Sequence, residues 1–168
     1  MVAALLFAVV ITPAYAWAIT ACLAAGAAAV AVVDARTHTL PNRYVSAFAA
    51  AGLIQAVAAA VASKAGIRLL DPLIAAAAVC AAYVLLGLVG WFGFGDAKFA
   101  GALAVTVAIY AGLAAIYIVP LAILFAALWM LLCRALGRVA RIRAHGPAIA
   151  LAAIGIMVAA VLLAPPGA

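Results

Sequence analysis

The sequence has 168 residues, of which 74% are hydrophobic and 7% are charged, and its mean hydropathy is +1.47. A soluble domain is about half apolar and a quarter charged, so this composition excludes a water-soluble globular protein. A helix needs about 20 apolar residues to cross a bilayer, so the chain can supply at most about six or seven spans. The net charge is +6, but the basic residues lie between apolar runs and therefore indicate membrane topology rather than a nucleic-acid partner.

The apolar runs predict an all-α, polytopic membrane protein with a single domain over residues 1–168. An apolar N-terminal extension precedes the first span, and Pro13 kinks or begins that helix. The extension ends in Ala14-Tyr15-Ala16, which is similar to a signal-peptidase site, but it lacks the basic segment of a signal peptide, which argues against cleavage. The six predicted spans are 14–33, 44–62, 72–90, 96–110, 112–132 and 147–163.

Two of these spans carry specific expectations. Asp71 is predicted to be the N-cap of the third span, with Pro72 in its first turn. Pro120 is predicted to bend the fifth span, because proline removes a helical hydrogen bond.

The basic residues predict which loops face the cytoplasm. Lys64 and Arg68 lie in the second loop, whereas loops one, three and five hold seven basic residues: Arg36, Arg43, Lys98, Arg134, Arg138, Arg141 and Arg143. By the positive-inside rule the odd-numbered loops are cytoplasmic and both termini lie outside. Asp34, at the end of the first span, and Asp96, at the start of the fourth, then lie at the same cytoplasmic face.

The chain has only three acidic residues, so each needs an explanation. An acid near the hydrocarbon core is costly and is therefore a functional-site candidate. Structural alternatives remain open, since Asp34 could pair with Arg36 and Asp96 could cap the fourth span. Two carboxylates brought together can share one proton, and such a pair can activate water and protonate a peptide carbonyl, as in aspartic proteases.

The stretch Asp34-Ala-Arg-Thr-His-Thr-Leu40-Pro41-Asn42 resembles the D-x5-[IL]-P-N motif of the type IV prepilin peptidases. Similarly, Gly93-Phe-Gly95-Asp96-Ala-Lys98 resembles their GxGD-x-K motif. A weaker match is His145-Gly146-Pro147, which is similar to an F-G-P stretch at the start of the last span, with histidine where an aromatic residue is usual. The resemblance covers about residues 14–163, nearly the whole chain.

The resemblance implies a GxGD membrane aspartic protease that removes prepilin leaders at the cytoplasmic side of the inner membrane, with Asp34 and Asp96 as the catalytic pair. It implies a prepilin or pseudopilin partner, whose apolar helix lies in the bilayer against the enzyme, a role in pilus biogenesis or protein secretion, and no metal or organic cofactor. The chain has no CxxC pair, so it resembles the short peptidase-only form of Flp/Tad-type pilus systems. Self-association between copies of the chain is left open.

Supporting residues in these motifs have structural and functional interpretations. Gly93 and Gly95 predict a close backbone approach beside Asp96 or a positive φ. Pro41 and Asn42 predict the start of the second span. Lys98 either tunes the charge of the carboxylate pair or reaches lipid phosphate.

The histidines and the basic fifth loop have simpler explanations. His38 and His145 are expected in loops without ligand partners, so no metal site is predicted. The loop from Arg134 to Arg143 is explained best as a topology determinant that contacts anionic headgroups, although recognition of an acidic substrate residue is the other interpretation.

Two rival classes of protein are considered. Presenilin-like proteases also use GxGD, but they carry a Tyr-Asp motif and a Pro-Ala-Leu motif, whereas Asp34 follows Val33 and no Pro-Ala-Leu occurs here. A small transporter or assembly subunit could use the same acids for proton coupling, which predicts carboxylates deeper in the bilayer.

Overall fold

The computed structural model describes residues 13–37, 40–62, 69–137 and 144–163, and within these ranges the chain forms helices and no strands. The all-α prediction is therefore confirmed. The elements in chain order are α1 (Pro13–Thr37), α2 (Asn42–Ala62), α3 (Leu70–Leu88), α4 (Phe94–Ala111), a 3₁₀ helix (Gly112–Tyr117), α5 (Ile118–Ala135) and α6 (Gly146–Leu163). The expectations for residues 1–12, His38, Lys64, Arg68 and the loop arginines Arg138, Arg141 and Arg143 lie outside the described residues.

The described helices give five segments that are long and apolar enough to cross a membrane, so the chain is a multi-pass membrane protein. One of these segments, Phe94–Ala135, has 42 residues and contains both α4 and α5. At about 1.5 Å per residue it would be about twice as long as a hydrocarbon core of about 30 Å. The 3₁₀ helix divides it, and Gly112 at the junction has a positive φ of 56°.

The prediction that Asp71 is the N-cap of the third span is wrong. Helix α3 begins at Leu70, its N-cap is Leu69, and Asp71 lies in the first turn with Pro72 after it. The first N–H groups of a helix have no intrahelical acceptor, so proline fits anywhere in that turn and does not fix the first residue. Asp71 still lies where the helix dipole favours a negative charge.

The bend predicted at Pro120 in the fifth span stays a prediction, because the span is already interrupted before this residue. Pro120 is the third residue of α5, in its first turn, where its missing N–H removes no intrahelical hydrogen bond. The irregularity comes before it, in the 3₁₀ helix from Gly112 to Tyr117.

Helix α4 lies at the centre of the bundle, packed against α2, α3 and α6, and α6 also packs against α1 and α5. Small residues permit the close approach. A Cβ atom built on Gly52 would lie 2.8 Å from Thr106 Oγ1, and one on Gly101 would lie 3.2 Å from the Cys80 Cβ. Helix α6 packs against both α1 and α4. Its first residue, Gly146, contacts Asp34 near the end of α1.

The charged side chains of the described helices are divided unequally between the two ends of the bundle. Asp71 lies at the start of α3, at one end. The other end holds Asp34, Arg36, Arg43, Asp96, Lys98 and Arg134, which lie near the ends of α1 and α5 or the starts of α2 and α4.

Candidate active site

Asp34 is buried in the last turns of α1, with 4% of its surface exposed. Helix α1 continues to Thr37, beyond the predicted end of the span at Val33, so the aspartate lies within the helix rather than in the following loop. The backbone N–H of Gly146, the first residue of α6, donates a hydrogen bond of 3.0 Å to Asp34 Oδ2. A Cβ atom on Gly146 would lie only 2.8 Å from that oxygen, so the contact requires glycine at this position.

Asp96 is buried in the first turn of α4, with 9% of its surface exposed. The backbone N–H of Gly93 donates a hydrogen bond of 3.0 Å to Asp96 Oδ2. The N–H of Asp96 in turn donates to the Gly93 carbonyl at 3.0 Å. Asp96 is therefore the third residue of α4 and not its N-cap, which is Gly93. Its Oδ2 binds back to the N–H of the N-cap residue, as in a capping box, so it stabilises the start of the helix in a different way from the structural alternative left open by the sequence.

The fold brings the two carboxylates together as well. Asp34 and Asp96 are close enough to repel one another electrostatically. Each carboxylate has one oxygen bound to a glycine N–H at the start of a helix, where the helix dipole also favours negative charge. The site thus holds two carboxylates that backbone donors fix in position, an arrangement that can exchange a proton with a water or a carbonyl between them.

The first two sequence motifs touch each other beside this pair. A Cβ atom on Gly95 would lie 3.4 Å from the Cβ of Leu40, which is an ordinary van der Waals distance to a side chain, so the predicted close approach of backbone to backbone is not found at Gly95. The predicted positive φ is not found, because Gly93 has an extended φ of −86° and neither glycine is among the described positive-φ positions. Helix α2 begins at Asn42, and the Pro41 carbonyl accepts a hydrogen bond of 3.0 Å from the Tyr44 N–H.

The remaining predicted residues lie at the edge of the site. Lys98 is exposed on α4, two positions after Asp96. Pro147 is half-buried in the first turn of α6, directly after Gly146. Among the described residues, no group of three or more His, Cys, Asp or Glu side chains could hold a metal ion.

The packing of three rings beside the carboxylates was not predicted from the sequence. His145, expected in a loop, is 3% exposed, and burial lowers its pKa to about 4. Its Nε2 lies 3.0 Å from the hydroxyl of Tyr83 on α3, and its ring stacks on Phe92 at a centroid distance of 4.2 Å. One feature of the sequence could have indicated this packing. The resembled family usually has an aromatic residue at the position of His145, and an imidazole can occupy a similar volume.

Two apolar grooves flank the end of α1 that carries Asp34. The larger, with a volume of about 600 Å³, lies between α1, α5 and α6 and is lined by Ala35, Phe125, Trp129, Leu132, Pro147 and Leu151, among others. The smaller, of about 340 Å³, lies between α1 and α2 and is lined partly by Val30, Val33, Tyr44 and Phe48. Both grooves therefore reach residues within one helical turn of Asp34.

The fold and the site define a multi-pass helical membrane protein with two buried carboxylates at one end of its bundle. The chain belongs to the type IV leader peptidase family, whose pattern matches residues 17–134. Membership implies a protease, a hydrolase that acts on prepilin-type substrates. The matched range contains both aspartates and ends before His145.

No curated protein matches the chain. No solved structure matches it either.

Proposed function

We propose that the chain is an aspartic endopeptidase that removes the leader of a prepilin or pseudopilin, of the Flp type, at the cytoplasmic face of the inner membrane. The observation that carries this proposal is the pairing of Asp34 and Asp96, two buried carboxylates from different helices, in a member of a leader peptidase family. The absence of a CxxC pair from the sequence supports the short peptidase-only form.

The chemistry follows from the proximity of the two carboxylates. Two like charges at short distance are costly, so the pair holds one proton between them. The ionised member takes a proton from water while the water oxygen attacks the scissile carbonyl carbon, and the protonated member donates to the carbonyl oxygen. Collapse of the resulting diol breaks the C–N bond, and the leaving amine takes up a proton.

The backbone donors give this mechanism its geometry. The N–H groups of Gly93 and Gly146 each hold the Oδ2 atom of one carboxylate, so neither side chain has to be ordered when substrate binds. Apolar grooves beside Asp34 support a substrate whose apolar helix lies in the bilayer while its leader reaches the carboxylates. Proton-coupled transport is less well supported, because Asp34 and Asp96 lie near helix ends rather than at mid-membrane depth.

A cleavage assay tests the proposal. An Flp-type prepilin is incubated with the wild type and with Asp34→Asn, Asp96→Asn and Asp71→Asn in membranes or detergent. The first two variants are expected to lower kcat by at least about a thousandfold, because each removes one partner of the proton exchange. Asp71→Asn is the matched control, since Asp71 lies in the first turn of α3 at the other end of the bundle.

The thermal unfolding midpoint of each variant separates loss of chemistry from loss of fold. Cleavage at the wild-type rate by Asp34→Asn or Asp96→Asn would refute the catalytic pair. A wild type that cuts no prepilin would refute the peptidase, and proton flux into vesicles would then be measured.

A further inference from the structure

Two stacked rings connect the backbone donors of the two carboxylates. The rings of Phe92 and His145 lie 4.2 Å apart between centroids, with an angle of 30° between their planes. Phe92 directly precedes Gly93, whose N–H binds Asp96, and His145 directly precedes Gly146, whose N–H binds Asp34. The stack is therefore one residue away from each donor.

A third ring attaches this stack to the bundle. Tyr83, on α3, is fully buried, and its ring meets Phe92 edge-on at 5.5 Å and 62°. Its hydroxyl lies 3.0 Å from His145 Nε2. Three separate elements, α3, the turn before α4 and the start of α6, thus contribute one ring each to this cluster, which we call the ring cluster.

One hydrogen bond holds the imidazole of His145 in place. Its Nε2 and the Tyr83 hydroxyl are 3.0 Å apart, and the tautomer of the imidazole decides which of the two donates. His145 Nδ1 is buried and has no hydrogen-bond partner within the described part of the chain, so the bond to Tyr83 is the one that orients the ring. This bond fixes the orientation of the imidazole, and the orientation in turn fixes its overlap with Phe92.

We propose that His145 is a positioning residue, whose stack on Phe92 sets the spacing between the Gly93 and Gly146 N–H groups and thereby the spacing between Asp34 and Asp96. The proposal rests on the proposed peptidase function for its effect on rate. His145 acts on the carboxylates through Gly146 and Phe92 and not by contact with the reacting atoms. Because a displacement of about 1 Å can cost about a hundredfold in rate, a contact of this kind controls activity.

Kinetics of four variants test the effect on rate. His145→Ala removes the ring and is expected to lower kcat by about ten- to a hundredfold with KM changed less than about twofold. His145→Phe keeps a ring in the stack and is expected to restore kcat to within about threefold of wild type. Tyr83→Phe is expected to lower kcat in the wild-type background and to have no effect in the His145→Phe background, where the hydrogen bond no longer exists.

Phe99→Leu is the control for removing an aromatic contact elsewhere, because Phe99 is fully buried and is not among the residues that line the two grooves. Phe48 meets Phe99 edge-on at 6.0 Å, in the contact of α2 with α4. This variant is expected to lower the thermal unfolding midpoint and leave kcat of the folded protein unchanged. The proposal is overturned if His145→Ala behaves in the same way, or if Tyr83→Phe and His145→Phe have additive effects.

A cross-linking experiment tests the spacing without relying on proteolysis. Cys22, Cys80 and Cys133 are replaced by Ala, and Asp34→Cys and Asp96→Cys are introduced together. The yield with a short cross-linker that carries two maleimide groups is expected to fall at least about threefold on adding His145→Ala and to stay unchanged on adding His145→Phe. An unchanged yield in His145→Ala overturns the positioning role, whereas absence of cleavage by the wild type overturns only the peptidase function.

Discussion

At the scale of single residues, one carbon atom added at Gly146 is expected to lower activity much more than stability. In Gly146→Ala the new Cβ lies 2.8 Å from Asp34 Oδ2, so the carboxylate must move and its hydrogen bond to the residue 146 N–H is lost. The atom that moves is the end of a side chain, so the fold tolerates the change. We expect a loss of about a hundredfold in kcat and a decrease of only a few degrees in the thermal unfolding midpoint, because one buried hydrogen bond is lost.

Gly155→Ala is the matched control for this variant. Gly155 lies in the same helix, and a Cβ there would meet nothing within 4 Å. We expect wild-type cleavage from it. Equal activity of the two alanine variants would show that the Gly146 contact does not position Asp34.

Burial of His145 is expected to make the folded protein less stable in acid. Burial lowers its pKa to about 4 from an ordinary value of 6.5, so the unfolded chain binds this proton more readily than the folded one. The contribution of the neutral imidazole to the free energy of unfolding is complete above pH 6.5 and is lost as the pH falls towards 4. We expect the decrease in unfolding midpoint between pH 7.5 and 4.5, measured in detergent, to be smaller in His145→Phe than in the wild type.

The comparison with His145→Phe isolates this effect from those of the other ionisable groups, which both proteins share. Identical pH dependence of the two midpoints would contradict the assignment. The expected difference has the same sign whether or not the chain is a peptidase, because it depends on burial alone.

Residue types and spacing identified Asp34, Asp96 and Gly146, because their motifs are local in sequence. They could not identify Tyr83, because it lies in an apolar span where the sequence does not distinguish a ring that faces lipid from a ring that is buried in the protein. The burial of His145 likewise depends on α3 and on the turn before α4, which meet it only in the folded bundle.

At the scale of elements, each described helix lies on one of the predicted apolar runs, since an apolar run must be long enough to cross the bilayer. The largest difference is at α5, which begins at Ile118 although the span was predicted to begin at 112. The error at Asp71 has a simple cause. Proline is tolerated throughout the first turn, where N–H groups have no acceptor, so the position of Pro72 does not mark the first residue of the helix.

The contact of α2 with α4 depends on the absence of a side chain at Gly52. A Cβ there would lie 2.8 Å from Thr106 Oγ1 and 3.2 Å from the Cβ of Val105. We expect Gly52→Val to push the two helices apart and lower the thermal unfolding midpoint by several degrees. Gly155→Val makes the same change in open space, and a comparable decrease in that control would show that helix propensity, not packing, is responsible.

At the scale of the whole molecule, the sequence could not predict which helices pack together. Lipid and protein core both accept apolar side chains, so buried and exposed positions have the same composition. In α6, for example, Ile149 is fully buried while Leu151 is 57% exposed. The grouping of Asp34 with Asp96 was predictable because it depends on topology, which the charges of the loops indicate.

That topology is itself a prediction, and the two ends of α3 provide a matched pair of probes. Val89 is exposed at the end near Asp96 and Leu69 at the opposite end. With the three native cysteines replaced by Ala, we introduce Val89→Cys or Leu69→Cys and treat cells with a membrane-impermeant maleimide. Leu69→Cys is expected to react in intact cells and Val89→Cys only after the inner membrane is opened, because the end of the bundle with Arg36, Arg43, Lys98 and Arg134 faces the cytoplasm. The reverse pattern would place the carboxylates on the outer face, where a cytoplasmic leader could not reach them, and would contradict the proposed site of cleavage even if the carboxylate pair is catalytic.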